Sequence, residues 1–223
     1  RPAAAADALG AAVSAVAALL GHAGGLERFA AAPGLVARLA LALDAGDERV
    51  CTSALELLAV LAVTSEAGHG AVVAAMAYVR RATRERVPYE GVVGALRAPT
   101  SGAFKRDVLL FVNTLVNAAP DVERRVAVRG DLERAGLAAA LSELGAAGLR
   151  RALADDATDA DDDDAADAAD ELELQLRVYA TVAADDARRC AAPLGDAADG
   201  ALSRLDDAGA LFANAARRAA GAG

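Results

Sequence analysis

Apolar residues recur at helical spacing along almost the whole chain, and this regularity restricts it to helical architectures. Val13, Val16, Ala17 and Leu20 share one face, as do Leu35, Leu39 and Leu43, then Leu57, Leu58 and Leu61. Val108, Leu109, Val112, Leu115 and Val116 form another stripe, and Leu137, Leu141, Leu144 and Leu149 a later one. Recurrence at i, i+3 and i+4 marks helices with one buried face. Glycine and proline punctuate the stripes at Gly24, Gly25, Pro33, Gly34, Gly68, Pro88, Pro99 and Pro120. No stretch alternates polar and apolar residues with the turn signals of a hairpin. The pattern predicts about ten helices and no sheet.

Composition agrees. Aromatic residues make up 3% of the 223 positions and Trp is absent, whereas a sheet draws on aromatic and β-branched residues. The apolar fraction of 55% is enough for a sizeable core in one large domain or a short solenoid. Ile is missing and Lys105 is the only lysine, a bias that reads as drift toward GC-rich codons and weakens composition as a functional clue.

There is a faint internal repeat. Ala15–Ala23, Leu57–Ser65 and Phe111–Ala119 each end an apolar helix in small or polar residues. Their spacing is near the roughly 40–47 residues of armadillo and HEAT repeats, the second gap needing an insertion. Such repeats stack into a solenoid with a concave binding face.

Charge divides the chain. Residues 1–79 carry a net −3, residues 80–151 a net +5 and residues 152–223 a net −11, giving −9 in all. A chain this acidic lacks the basic footprint that nonspecific nucleic-acid binding requires, so no nucleic acid is expected as a partner. Asp155–Asp170 holds nine aspartates in sixteen positions and reads as a disordered insertion. It lacks the central glycine and terminal glutamate of an EF-hand. The expected organisation is repeats over residues 1–154, the acidic insertion over 155–170, and closing helices over 171–223. Glu171–Val182 resumes as a helix, and Ala197–Ala220 forms a final amphipathic one through Leu202, Leu205, Leu211 and Phe212. That last helix leaves a homodimer possible. The chain begins at Arg1 rather than Met, which predicts a fragment of a longer protein.

Catalytic chemistry finds no foothold. His22 and His69 belong to no HExxH or Cys/His metal spacing, and loop or helix-cap roles fit them better than catalysis. Cys51 and Cys190 are isolated and read as free thiols of a cytosolic domain. No phosphate-cradling glycine loop and no nucleophile elbow is present. The expectation is a binding module with no enzyme activity and no cofactor or metal. One oddity stands out in a core-like helix: Asn113 and Asn117 lie four apart on one face. Buried amides need partners, so these two either bond neighbouring backbone or line a groove and bond an incoming chain.

Val112–Asn117 followed by Arg125–Leu137 reads VNTLVN…RVAVRGDLERAGL. This is similar to a hallmark of the formin homology 3 region, with Arg125, Arg129, Asp131, Arg134, Gly136 and Leu137 at its marked positions. The likeness continues through ALELLAVLA at Ala54–Ala62, Gly68-His69 and VVAAM at Val72–Met76. It extends to ERVPYEGVVGAL at Glu85–Leu96, GLERF at Gly25–Phe29, GLVARLALALD at Gly34–Asp44 and QLRVY at Gln175–Tyr179. The chain therefore resembles the inhibitory region of Diaphanous-related formins.

That resemblance implies an all-α, armadillo-like right-handed solenoid with a concave groove. The groove would bind the formin's own C-terminal autoregulatory helix, and a Rho-family GTPase would release it. Actin would be reached indirectly, through the rest of the protein, at a cytoplasmic, cytoskeleton-associated location. The groove residues it implies are Gly21, His22, Asn113, Thr114 and Asn117. Gly21 and His22 stand where the family has paired asparagines, and Thr114 where it has alanine. Read from the residues alone, a generic armadillo or HEAT scaffold unrelated to actin stays open.

Overall fold

The structure is a computed structural model that describes residues 2–144 and 171–190. The acidic run Asp155–Asp170, the expected final helix Ala197–Ala220 and Leu149 lie outside the described residues. Among the described residues there is no strand. The helices are α1 (Pro2–Leu20), α2 (Gly25–Ala30), α3 (Pro33–Leu41), α4 (Glu48–Thr64), α5 (Glu66–Thr83), α6 (Glu90–Arg97), α7 (Gly102–Asn117), α8 (Val122–Arg134) and α9 (Leu137–Leu144), with a 3₁₀ turn at Ala42–Asp44. The chain divides into two compact units, Arg1–Tyr179 and Ala180–Gly223. Residues 171–179 form α10 of the first unit, and residues 180–190 of the second are also helical.

Helix starts are fixed by side chains that satisfy the free amides of the first turn. Asp47 accepts from the Arg49 and Val50 amides at 3.0 and 3.4 Å. Ser65 accepts from Gly68 at 3.0 Å, Ser101 from Phe104 at 3.1 Å and Asp121 from Arg124 at 2.7 Å. Pro33 opens α3, where its missing N–H costs nothing.

The first unit is an all-α helical solenoid. Its inner layer is a ladder in which α1 packs on α4 and α4 on α7. Asn113 of α7 then bonds to Gln175 of α10. Two-helix excursions, α2–α3, α5–α6 and α8–α9, separate successive inner helices. Helices α4 and α7 run parallel. The Ser101 hydroxyl at the start of α7 donates to Glu48 at the start of α4 at 2.6 Å, and Thr52 donates to Asp107 at 3.1 Å further along both helices. The faint repeat thus has a structural meaning, because Ala15–Ala23, Leu57–Ser65 and Phe111–Ala119 cover the C-terminal ends of α1, α4 and α7.

Leu58, Leu61, Met76, Leu96, Leu109, Phe111, Leu115, Leu132 and Leu137 are among the fully buried residues of one continuous core. The stripe expected on α7 is buried throughout. Leu35 departs from the pattern. It lines a small cavity with Val16 and Phe29 and stays 48% exposed.

Two glycines set how closely helices meet. A Cβ at Gly68 would lie 2.1 Å from the Leu61 carbonyl oxygen, and one at Gly25 would lie 2.2 Å from that of Leu19. Both sit in the first turn after an inner helix, so glycine lets α5 and α2 fold back directly onto the ends of α4 and α1.

Candidate peptide-binding groove

The inner face of α7 carries the site. Phe111, Val112, Leu115 and Val116 turn into the core and anchor the helix, which leaves Leu110, Asn113, Thr114 and Asn117 along its other side. A cavity of about 400 Å³ opens there between α4, α7 and α10, floored by Val63, Leu110 and Val178 and edged by Thr114 and Asn117. Val63 is 61% exposed and Leu110 40%, and Val60 and Leu174 nearby on α4 and α10 are also exposed. Large apolar side chains grouped in a recess mark an interaction surface far better than ones scattered singly.

Asn113 is buried, and its amide nitrogen donates to both the main-chain and the side-chain oxygen of Gln175, each at 2.8 Å. Asn113 thus bonds a residue 62 positions away rather than its neighbouring backbone, and it also lines the cavity. Asn117, one turn on, is exposed and lines the cavity. Thr114 is half-buried between them.

The far wall is held by α8. The Tyr179 hydroxyl donates to Glu133 at 2.9 Å, and the Arg129 guanidinium lies 5.5 Å from the Tyr179 ring centroid. Burial is the main reason the Tyr179 phenol binds its proton more tightly than usual, with the Glu133 hydrogen bond adding to it.

Of the five residues expected in the groove, the structure brings Asn113, Thr114 and Asn117 together. Gly21 and His22 lie in the exposed turn after α1, beyond α4 along the inner layer, and do not line this cavity. Two contributors were not picked out as site residues. Gln175 stood out only as part of QLRVY. His69 is buried on α5 and bonds through Nε2 to the Leu115 carbonyl at 3.0 Å, which caps the C-terminal turn of α7 beside the groove. The helix-cap role expected for a histidine is therefore what His69 performs.

A larger recess of about 780 Å³ lies between α5 and α8. It is spanned by the Glu66–Arg124 ion pair and presents no strongly exposed large apolar residue among the described residues, so the inner groove is the stronger candidate. Among the described residues no cluster of His, Cys, Asp and Glu could hold a metal ion, and no helix is long and apolar enough to cross a membrane.

The sequence pattern of the family described as FHOD1/3 FH3 domain matches residues 8–140, which run from α1 to α9. Three proteins of Dictyostelium discoideum are similar. Formin-D is 28% identical over 120 residues, 54% of this chain and 10% of that protein. Formin-H is 31% identical over 105 residues, 47% of this chain and 10% of that protein. Formin-F is 26% identical over 129 residues, 56% of this chain and 11% of that protein. The matched stretch thus spans about a tenth of each relative's length.

Proposed function

Because the chain belongs to the FHOD1/3 FH3 family, the formin homology 3 regions of formins, we propose that it is a regulatory binding module whose inner groove takes up an amphipathic helix. The partner is the formin's own C-terminal autoregulatory helix, and a Rho-family GTPase competes with that contact. Through it the module restrains actin assembly by the rest of the protein, at the cytoplasmic cytoskeleton. A homodimer is compatible with this role. The family is one of regulatory helical domains and not a known enzyme family, which favours binding over catalysis.

The observation that carries the reading is the grouping of exposed Val63 and Leu110 beside Thr114 and Asn117 in one recess. Helix-in-groove recognition needs an apolar floor for the ligand's i, i+3, i+4 and i+7 anchors and a few polar groups to fix register. Both are present. Family membership favours this over a scaffold unrelated to actin. Gly21 and His22, at the end of α1, would meet a ligand long enough to run past α4.

The test is a calorimetric titration of the chain with the C-terminal segment of its full-length parent, repeated with Leu110→Glu. Saturable binding that the substitution abolishes supports the reading. Binding that ignores the substitution places the contact elsewhere.

A further inference from the structure

The arginines of the described residues are unevenly compensated. Arg49, Arg86, Arg97, Arg106, Arg124, Arg134, Arg188 and Arg189 each pair with a carboxylate. Arg125, Arg129 and Arg177 also have interactions of their own. The remaining described arginines, Arg28, Arg38, Arg80, Arg81 and Arg84, have no ion-pair partner among the described residues, and all lie on α2, α3 and α5 or at the cap of α5. These three helices pack on one another. Lys105 on α7 is a further cation without an ion pair among the described residues, but these five arginines are grouped on neighbouring helices and form a localised positive surface in a chain of net charge −9.

Two of them face a built recess. Between α3 and α5 runs a groove of about 440 Å³, with Gly34, Ala37 and Ala74 among its lining, Arg38 on the α3 bank and Tyr78 and Arg81 on the α5 bank. Among the described residues no carboxylate lines it. Tyr78 is 41% exposed, and the Arg81 guanidinium lies 6.0 Å from its ring centroid. A side chain at Gly34 would meet nothing within 4 Å, so the groove is open along that wall.

We propose that this α3–α5 groove docks an acidic, glutamate- or aspartate-rich segment of a partner protein. Arginine forks on opposite banks offer paired N–H donors matched to carboxylates. The small residues between them admit an apolar side chain, and Tyr78 supplies an aromatic wall of the kind that anchors protein contacts. A recess between two helices fits an inserted peptide, whereas a lipid surface is met by protruding groups. The site shares no residue with the inner groove, so it engages a second partner independently of the helix proposed there.

The test follows the fluorescence anisotropy of a labelled oligoglutamate peptide with one central leucine, titrated with the whole 223-residue chain. Saturable binding that weakens with added salt is expected. Arg38→Gln with Arg81→Gln, both at exposed positions, weakens it about tenfold or more. Ala74→Gln, also exposed, weakens it by filling the groove, and Arg49→Gln on α4 leaves it unchanged. Three results overturn the proposal: no saturable binding, equal affinity in the double variant, or capture by phosphatidylserine vesicles with no peptide binding, which would make this a membrane-facing surface.

Discussion

Asn113 and Gln175, 62 residues apart, are joined by two hydrogen bonds of 2.8 Å from one amide group, and both side chains are buried. The pair fastens α10 to α7 and fixes the width of the inner groove. Asn113→Ala strands a buried amide oxygen on Gln175, which costs about 1–3 kcal/mol. A melting temperature lowered by several degrees is the expected result. The double variant with Gln175→Ala should cost less than the sum of the singles. Strictly additive losses would mean that the two amides act independently.

The close approach at Gly68 gives a paired prediction. Gly68→Ala places a methyl group against the Leu61 carbonyl and forces α5 away from α4, at about 1–3 kcal/mol. Gly70→Ala, two positions on in the same helix, meets nothing within 4 Å and should stabilise by about 0.5–1 kcal/mol through helix propensity. Chemical denaturation of the two variants separates packing from propensity, and equal effects would contradict the geometry.

Tyrosine chemistry predicts an alkaline limit. Burial raises the proton affinity of both Tyr89 and Tyr179. A group whose folded pKa is raised contributes stability below its ordinary range, near pH 10, and that stability is lost as pH climbs toward the folded value. Unfolding free energy should therefore fall above about pH 10. The two hydroxyls differ, since Tyr89 Oη is buried with no hydrogen-bond partner among the described residues while Tyr179 donates to Glu133. Tyr89→Phe should be neutral or stabilising and reduce the alkaline loss, whereas Tyr179→Phe should destabilise by about 1 kcal/mol. Thermal melts across pH check both, and a destabilised Tyr89→Phe would mean that its hydroxyl has a partner.

Much of this was legible in the residues. The 3.6-residue stripes located the helices because apolar spacing is imposed by the core itself, and the α7 stripe was read residue for residue. Asn113 and Asn117 were flagged as odd, but spacing alone could not show that one is buried and the other exposed. That difference is made by α10, whose approach is not encoded near α7. Leu35 fitted the stripe and yet stays exposed, since apolar spacing marks a face but not which neighbour covers it. His69 was legible only as part of the Gly68-His69 pair of the resemblance, since capping a distant helix leaves no local pattern of its own.

The central claim is that the α7 face opposite its core stripe receives a helix, and Thr114 tests it most directly. A carboxylate there would be buried unpaired in the complex, a cost of several kcal/mol when desolvation is complete. The measurement is a titration of wild type and Thr114→Asp with the parent protein's C-terminal segment, with melting curves for both. The account predicts wild-type binding, weakening by on the order of a hundredfold in the variant, and nearly unchanged melting temperatures. Wild type that fails to bind, a variant that binds equally well, or a variant that unfolds because Thr114 belongs to the core would contradict it.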